Sequence, residues 1–335
     1  MGWRSGPSQA ANPKLPGRSP LDDEKRSMVR EMRFCKDLGK VILVAVWGLL
    51  AGFPPWQALA EVRVDQVGRQ AKVPAAPRRL VTMAASLTEM VFALGLGSRL
   101  CGVEQFSDYP PAAKALPKVG SYKYPDVERI VALQPDLCLA IKDGNPPHVL
   151  ERLRDLSIPV HAVDPRNLEE VVATIEEMGK LLDASGQAGE LAATLRRRHQ
   201  RIKNLVARAA RRPRVFFQIG VSPIVSAGSH TFLDELITTA GGLNLAAGKV
   251  PYPRFSQEQI LALQPEIIII TSMDRGGAFE QVKAGWERWE TLPAARNHRI
   301  FLVDSDIMDR PSPRLLDGLE LLFRLIHPEL AGELP

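Results

Sequence analysis

The amino-acid sequence predicts an α/β protein of two lobes, each a mostly parallel sheet flanked by helices, joined by one long backbone helix. Three observations support this fold: an internal repeat, strand patterns that alternate with helix patterns in both halves, and two consecutive helical patterns between the halves. Alternation of this kind is typical of parallel sheets with helices on both faces.

The repeat relates residues 126–141 to residues 256–271, 130 positions further along the chain. Each copy has the pattern of a short amphipathic helix, the sequence Ala-Leu-Gln-Pro, an acidic residue and an apolar run. Pro135 and Pro265 end the helices, because proline lacks the amide donor and clashes with the preceding turn. The apolar runs are typical of strands buried on both faces, and the interval is too long for a solenoid. The repeat therefore predicts two related lobes with a cleft between them.

Residues 1–60 have the pattern of an upstream extension followed by a secretory signal. A basic stretch precedes the apolar run Val41–Phe53, and a small-x-small sequence ends at Ala60. The run has 13 residues, fewer than the roughly twenty that span a membrane. We therefore predict export from the cytoplasm, with cleavage after Ala60. Retention of the signal as a single anchoring helix is the alternative.

The charge and the cysteines exclude several classes of protein. Residues 61–335 contain 34 Lys and Arg against 33 Asp and Glu, so the basic isoelectric point mostly reflects the N-terminal segment. A nearly neutral chain gives no electrostatic argument for nucleic-acid binding. Cys101 and Cys138 lie in apolar, strand-like runs, which favours packed core thiols over a disulfide or a metal pair.

Residues 61–77 are polar and contain proline, which predicts a flexible leader before an N-terminal lobe at 78–166. A helix is expected from Ser86 to about Leu94, where Ser86 and Glu89 have the spacing of a capping box. The strands of this lobe are expected at Leu80–Met83, Leu100–Val103, Leu137–Ile141 and Val160–Val163.

Residues 167–212 interrupt the alternation and predict a helical connector. Its two helical patterns cover Leu168–Leu182 and about Gln187–Ala209, and the second would be roughly 35 Å long at about 1.5 Å per residue. The run of arginines at 196–198 is interpreted as a solvated face of this helix. Since a packed helix offers few residues that can change their backbone angles, we expect little relative motion of the lobes.

The alternation resumes in a C-terminal lobe at residues 213–335. Its strands are expected at Val215–Ile219, Ile267–Thr271 and Ile300–Val303, and its further helices at about Thr231–Ala240 and Pro313–Ile326.

The candidate ligand site lies on the loops after the strands, because ligands of open parallel sheets sit beyond the carboxyl ends of the strands. The chain has four tyrosines, all in these loops, where Phe106 also lies. Such rings suit a large flat or partly apolar ligand, with the hydroxyls as polar groups. The alternative is that each ring packs against its own lobe. The tyrosines are Tyr109, Tyr122, Tyr124 and Tyr252.

Asp306 and Arg310 lie on the last of these loops. Their spacing lets one of them bind amides or carboxylates of a ligand while the other balances its charge. An ion pair within the loop is the alternative. Arg314, in the first turn of the terminal helix, is expected to hold that helix to the lobe.

Glu128 and Glu258 are the matched carboxylates of the repeat. Each lies in the first turn of its helix, where the helix dipole favours negative charge, and Asp126 or a Ser256–Gln259 capping box precedes it. Helix stabilisation is one interpretation. The other is a pair of exposed carboxylates, one on each lobe, that docks a symmetric basic partner.

Motifs of enzymes are missing from the sequence. The six histidines form no pair at metal-ligand spacing, and there is no Cys-x-x-Cys motif. The sequence also lacks a nucleophile-elbow motif and a glycine-rich phosphate loop. We therefore expect a protein that is not an enzyme and has neither a metal site nor an intrinsic cofactor.

Four segments carry a family resemblance: PRRLVTMAASLTEMVFALGLGSRLCGVEQFSDYP, VGSYKYPDVERIVALQPDL, VPYPRFSQEQILALQPEIIIIT and SDIMDRPSPRLL. They resemble the periplasmic cobalamin-binding proteins of ATP-binding-cassette importers, which belong to the helical-backbone substrate-binding proteins. The similarity covers about Pro77 to Ile326. It implies a monomeric receptor that captures a corrinoid in the cleft between the lobes and delivers it to the membrane permease subunits of the importer.

The resemblance also implies roles for individual residues. Glu128 and Glu258 match the two docking glutamates of the family, which meet arginines of the permease subunits. The sequence departs from the cobalamin binders at Ile141 and Val225, where aliphatic side chains replace aromatic ones. The residues that match cleft positions are Phe106, Tyr122, Tyr252, Asp306 and Arg310.

Three alternatives stay open at this point. One is a ferric-siderophore or haem binding protein of the same family. Another is an oxidoreductase-like protein with the lobe architecture of nitrogenase-type cofactor subunits, which would need cysteines able to hold a cluster. The third is an extracytoplasmic sensor or scaffold without a transported ligand.

Overall fold

A computed structural model describes residues 60–271 and 278–334. The predicted extension and signal at 1–60 lie outside these residues except for Ala60. In the described part of the chain, no helix combines the length and apolar character needed to cross a membrane.

The described chain begins with a hairpin of two antiparallel strands, β1 (Ala60–Val64) and β2 (Gln70–Pro74). From the turn, Gln66 Nε2 donates hydrogen bonds to Thr174 Oγ1 at 2.9 Å and to Glu177 Oε2 at 2.7 Å. The prediction of a flexible leader over 61–77 is therefore wrong. Gln66 of this segment hydrogen-bonds to the helix that contains Thr174 and Glu177, more than 100 residues away. The local sequence pattern does not reveal this contact.

The N-terminal lobe contains the four predicted strands. Its elements are β3 (Leu80–Thr82), α1 (Ala85–Ala93), β4 (Leu100–Val103), α2 (Val127–Ala132), β5 (Leu137–Ile141), α3 (Pro147–Asp155) and β6 (Val160–Val163). The sheet order is β4–β3–β5–β6, and every pairing is parallel. All four carboxyl ends therefore meet at one edge of the sheet.

Helix α1 begins earlier than the sequence predicts. Ala84 precedes the first helical residue, so Ser86 and Glu89 lie inside the helix and do not form the predicted capping box. Both side chains are buried. The carboxylate of Glu89 is instead bound by groups from the C-terminal lobe, and these groups decide its position.

Two packed helices connect the lobes: α4 (Leu168–Leu181) and α5 (Ser185–Val206). Helix α5 has 22 residues and is about 33 Å long. Arg196 Nη1 bonds to Glu176 Oε1 of α4 at 2.6 Å, and Arg198 Nε bonds to Glu320 Oε1 of the terminal helix at 2.7 Å. The run of arginines that was predicted to be a solvated face is thus partly exposed, and it also forms ion pairs with the neighbouring helices.

The C-terminal lobe has a mixed sheet that is mostly parallel in its centre. Its elements are β7 (Arg214–Gly220), β8 (Ile224–Ser226), α6 (Phe232–Thr239), β9 (Leu243–Asn244), β10 (Arg254–Phe255), α7 (Gln257–Leu263), β11 (Ile267–Ile270), α8 (Ala278–Glu287), α9 (Pro293–Arg296), β12 (Ile300–Leu302) and α10 (Leu315–Ile326). The order is β10–β8–β7–β11–β12, with β9 beside β7. Strands β7, β11 and β12 are parallel to one another. Strand β8 runs antiparallel to both of its neighbours, β7 and β10.

The sequence repeat is also a structural repeat. The glutamine before the proline has a left-handed φ of 47° in both copies, which turns the chain from helix to strand. The acidic residue then binds the start of a neighbouring strand: Asp136 Oδ1 accepts the amide of Arg79 at 3.0 Å, and Glu266 Oε2 accepts the amide of Arg214 at 2.9 Å. This shared contact explains why both copies have an acidic residue at this position.

A continuous hydrophobic core extends through both lobes. It includes Leu80 and Leu139 of the first sheet, Ile175 of the connector, and Phe217 and Ile269 of the second sheet, all fully buried. Each lobe also has a smaller core on the far side of its sheet. The connector is thus part of the core and not a free linker.

Candidate functional site

The loops after the parallel strands of the two lobes contact each other across a cleft. The cross-lobe contacts centre on Glu89 of α1, whose side chain is 2% exposed. Glu89 Oε1 accepts hydrogen bonds from Arg310 Nη1 at 2.9 Å and from Arg314 Nη1 at 3.3 Å. Its Oε2 accepts one from the Ser312 hydroxyl at 2.6 Å. One buried carboxylate of the N-terminal lobe therefore binds three donors from the loop before α10.

Arg310 uses both terminal nitrogens for contacts within the protein. Besides Glu89, Nη1 lies 3.3 Å from Asp108 Oδ1. Nη2 lies 2.7 Å from Asp306 Oδ1 and donates to the carbonyl of Phe106 at 3.3 Å. Two of these partners, Asp108 and Phe106, belong to the loop after β4. The pKa of Arg310 is raised, since these carboxylates outweigh the opposing effect of its burial.

We call Glu89, Asp108, Asp306, Arg310, Ser312 and Arg314 the Glu89 cluster. Arg314 extends it, because its guanidinium lies 4.0 Å from the centre of the Tyr109 ring, a cation–π contact. The sequence analysis predicted that Arg314 holds the terminal helix to its own lobe. In the structure, Arg314 instead contacts Glu89 and Tyr109 of the opposite lobe. The ion pair between Asp306 and Arg310, which was the alternative to a ligand-binding role for these residues, is present.

Two buried or partly buried side chains, Glu104 and Lys118, hydrogen-bond to the backbone of the loop that carries Phe106. Glu104 is 1% exposed, and its Oε2 accepts the amide of Phe106 at 2.8 Å. Lys118 Nζ donates to the carbonyl of Ser107 at 2.7 Å. Burial raises the pKa of Glu104 and lowers that of Lys118. The ring of Phe106, which is 45% exposed, is thus carried by an ordered backbone.

Tyr122 is held by the loop after β5. Buried Asn145 donates from Nδ2 to the carbonyls of Met83 at 2.8 Å and Tyr122 at 2.9 Å, so it ties together three loops at the carboxyl edge of the sheet. Gly144 lies against the Tyr122 ring, since a Cβ at this position would be 2.9 Å from Cδ2 of the ring. The half-buried Tyr122 ring therefore has a defined place at the edge of the first sheet.

Tyr252 lies in the second lobe, between two prolines that are bound to the end of β8. The carbonyls of Pro251 and Pro253 accept the amides of Gly228 at 2.7 Å and Ser226 at 3.0 Å. A Cβ on Gly228 would lie 2.2 Å from the carbonyl oxygen of Val250, so this close approach needs glycine.

The electrostatic surroundings of Tyr252 come from both lobes. The residue is 59% exposed, yet desolvation of the phenol raises its pKa, with smaller contributions from the carboxylates of Asp309 and Asp143. Asp143 belongs to the loop after β5 in the N-terminal lobe. Carboxylates of both lobes therefore contribute to the raised pKa of Tyr252.

Glu128 and Glu258 are both exposed, in the first turns of α2 and α7. The predicted caps precede them: Asp126 accepts the amide of Arg129, and Ser256 and Gln259 form a complete capping box. A hydrogen bond from Ser256 lowers the pKa of Glu258. Each helix leads directly into a parallel strand, so its N-terminus lies at the edge of the sheet where strands end.

Among the described residues, no group of three or more His, Cys, Asp or Glu side chains is arranged to hold a metal ion. Cys138 is buried and Cys101 is half-buried, and both are free thiols with a pKa raised by burial.

Comparisons with known proteins agree with this architecture. The sequence matches the family described as periplasmic binding protein over residues 80–307. It is 32% identical over 242 residues to a vitamin B12-binding protein of Yersinia pestis strain Pestoides F, covering 72% of this chain and 83% of the relative.

The chain belongs to the periplasmic binding protein family. Two solved structures of this fold are also similar to it. One is the periplasmic vitamin B12 binding protein of Vibrio cholerae, with 30% identity, a TM-score of 0.66, and coverage of 77% of this chain and 98% of that one. The other is a periplasmic haem binding protein from Pseudomonas aeruginosa, with 29% identity, a TM-score of 0.68, and coverage of 75% and 93%.

In this binding protein the structure brings some predicted site residues together and separates others. Asp306, Arg310 and the Phe106 backbone meet in the Glu89 cluster, whereas Tyr122 and Tyr252 come from opposite lobes. The sequence missed Glu89, Asp108 and Ser312. One signal for Glu89 was available, since it is the charged residue of a helix without other charges, but its spacing from Ser86 favoured a capping box.

Glu89→Ala should destabilise the binding protein by about 3 kcal/mol, because removing one partner of a buried ion pair leaves the other charges unpaired. Glu333→Ala is the matched control, since Glu333 pairs with Arg208 at the surface and such pairs contribute about 0–1 kcal/mol. Urea unfolding measures both. Equal losses for the two variants would contradict the importance of the Glu89 cluster.

Asp309 gives a pH-dependent prediction. Burial, and then the carboxylates of Asp306 and Asp304, raise the pKa of Asp309 from 3.8 to about 7. The folded protein thus keeps a proton that the unfolded chain has lost, so the free energy of unfolding falls as the pH rises between about 4 and 7. Asp309→Asn should remove about 2 kcal/mol of this fall between about pH 5 and pH 8.

Urea unfolding at the two pH values measures the effect, and Asp155→Asn serves as an exposed control. Parallel pH slopes for the parent protein and the Asp309 variant would show that Asp309 is ionised throughout.

Proposed function

We propose that this protein is a periplasmic substrate-binding protein that captures a corrinoid in the cleft between its lobes and delivers it to an ATP-binding-cassette importer. The observation that carries the proposal is that each lobe has a tyrosine on an anchored loop, Tyr122 on one lobe and Tyr252 on the other, while the Glu89 cluster joins the lobes. A large planar ligand with amide groups fits such a site, because rings cover its face while carboxylates accept from its amides. The relatives named as vitamin B12 binders support this choice.

The proposal includes the cellular setting. The signal pattern that ends at Ala60 would direct export to the periplasm. Of this segment, only Ala60 is among the described residues. The ligand is cargo and not an intrinsic cofactor, and the protein has no enzymatic role in this proposal. The permease subunits are its partner.

Haem is the second candidate, since a haem binding protein is similar in structure. Haem iron is held by a tyrosine in some proteins, as a phenolate. The raised pKa of Tyr252 and the neighbouring Asp309 and Asp143 oppose the phenolate form. A corrinoid does not need a phenolate.

Isothermal titration with cyanocobalamin, cobinamide and haemin separates these ligands. We expect binding of at least one of the two corrinoids at micromolar concentration or below, and weaker binding of haemin. Tight binding of haemin alone would contradict the proposal.

Tyr122→Ala and Tyr252→Ala should each weaken corrinoid binding by about 0.5–1.5 kcal/mol beyond the loss of buried area. Trp289→Ala is the control, because Trp289 is a partly exposed aromatic residue after α8 and outside the cleft loops. The measurement is titration with the corrinoid that the parent protein binds. If both tyrosine variants retain the parental affinity, the ligand does not lie between these rings.

Replacing Glu128 and Glu258 by alanine should leave corrinoid affinity unchanged and weaken binding to the importer. Each charge pair contributes about 1–5 kcal/mol when it is desolvated at an interface, and any solvent-exposed part of the loss should shrink with added salt. Biolayer interferometry on the importer in lipid nanodiscs measures this, with the exposed Glu190→Ala variant of α5 as control. A double variant that unfolds, or that loses ligand while it still docks, would show that the two glutamates are helix caps or cleft residues.

A further inference from the structure

We infer that a groove beside Glu128 is a second part of the docking surface. It would receive an apolar side chain of the importer's membrane subunit, with a basic residue on one side of that side chain and an acidic residue on the other. This inference rests on the proposed function and goes beyond the two matched glutamates. It identifies the chemistry of the partner's contact and makes the two lobes unequal in docking.

The groove lies between α2 and α3 and has a volume of about 480 Å³. Its floor and walls are mostly apolar. Two of these side chains are aliphatic and remain partly exposed, Val131 at 38% and Leu156 at 41%. The lining residues are Val127, Glu128, Val131, Ala132, Arg152 and Leu156.

Single exposed aliphatic residues are common on protein surfaces, whereas two that meet in one concavity can be covered together by one apolar side chain of a partner. Val131 and Leu156 come from different helices and line the same groove. Covering both would remove their remaining exposed apolar surface from water, which favours association. The groove is therefore a site where a protein partner gains affinity.

The charges at the groove define which partner fits. Glu128 lies in the first turn of α2 and Arg152 in the last turn of α3. Both are exposed, and neither forms an ion pair with another described residue. Opposite charges on the rim require a complementary pair on the partner. An anionic membrane surface would attract Arg152 but repel Glu128, so the pattern fits a protein surface better than lipid.

The helix dipole alone explains the position of each charge but not the apolar side chains between them. The repeat gives an internal comparison. In the C-terminal copy Glu258 matches Glu128, but exposed Gln257 replaces Val127, and Leu261, which matches Val131, packs partly against the core of its lobe. The second lobe keeps the carboxylate without the same apolar wall. We therefore assign the stronger contact to the N-terminal lobe.

The test measures binding of full-length variants to the vitamin B12 importer of the same organism in lipid nanodiscs, by biolayer interferometry. Val131→Ser combined with Leu156→Ser should weaken binding about tenfold, with corrinoid affinity unchanged. The matched control is Val62→Ser combined with Leu243→Ser, which removes two aliphatic side chains of similar exposure outside the groove, 58% and 51% exposed. The control pair should bind as the parent protein does.

Charge variants test the groove without changing its apolar side chains. Arg152→Glu should weaken docking, and Arg152→Lys should retain it. Glu128→Ala should also cost more affinity than Glu258→Ala, because only the first lies beside the groove.

The outcomes distinguish this inference from the proposed function. If the Glu128 and Glu258 double variant loses docking while the Val131 and Leu156 variant and Arg152→Glu bind normally, the groove is not a contact and the proposed function stands. If the parent protein does not bind the importer at all, both fail. Equal binding to empty nanodiscs would show a lipid contact and overturn the inference.

Discussion

Glu89 is a buried carboxylate that would be costly without partners, because charge loses its hydration in a protein interior. Its partners come from the other lobe, where Arg310, Ser312 and Arg314 lie on one loop. Arg310 in turn binds Asp306 of its own loop and the Phe106 carbonyl of the facing loop. These contacts therefore depend on one another, and they position the loop that carries Phe106.

This arrangement has a consequence for binding. The lobes share a hydrophobic core through α4 and α5, and the Glu89 cluster adds a polar connection between the cleft loops. A site that is ordered before the ligand arrives loses less conformational entropy on binding. Arg310, which the sequence suggests as a ligand contact, is occupied by four protein acceptors. In the proposed function, the aromatic rings are then the groups that meet a ligand.

The sequence predicted the local features well and the long-range ones poorly. The two lobes follow from the repeat, because helix, breaker and buried strand leave periodic patterns in one short segment. The hairpin at 60–74 was missed because Gln66 binds Thr174 and Glu177, and no local pattern shows such contacts. The misassigned role of Glu89 has the same cause. Its spacing from Ser86 matches a capping box, while Arg310, its true partner, is 221 positions away.

A crystal structure of the protein crystallised with cyanocobalamin or cobinamide would show where the ligand lies. We expect a corrin ring between Tyr122 and Tyr252, with the contacts from Glu89 to Arg310 and Ser312 still formed. Density for the ligand outside the cleft would contradict the proposed site. So would a ligand that separates Arg310 from Glu89, because the cluster would then be a group that the ligand displaces and not the support of the site.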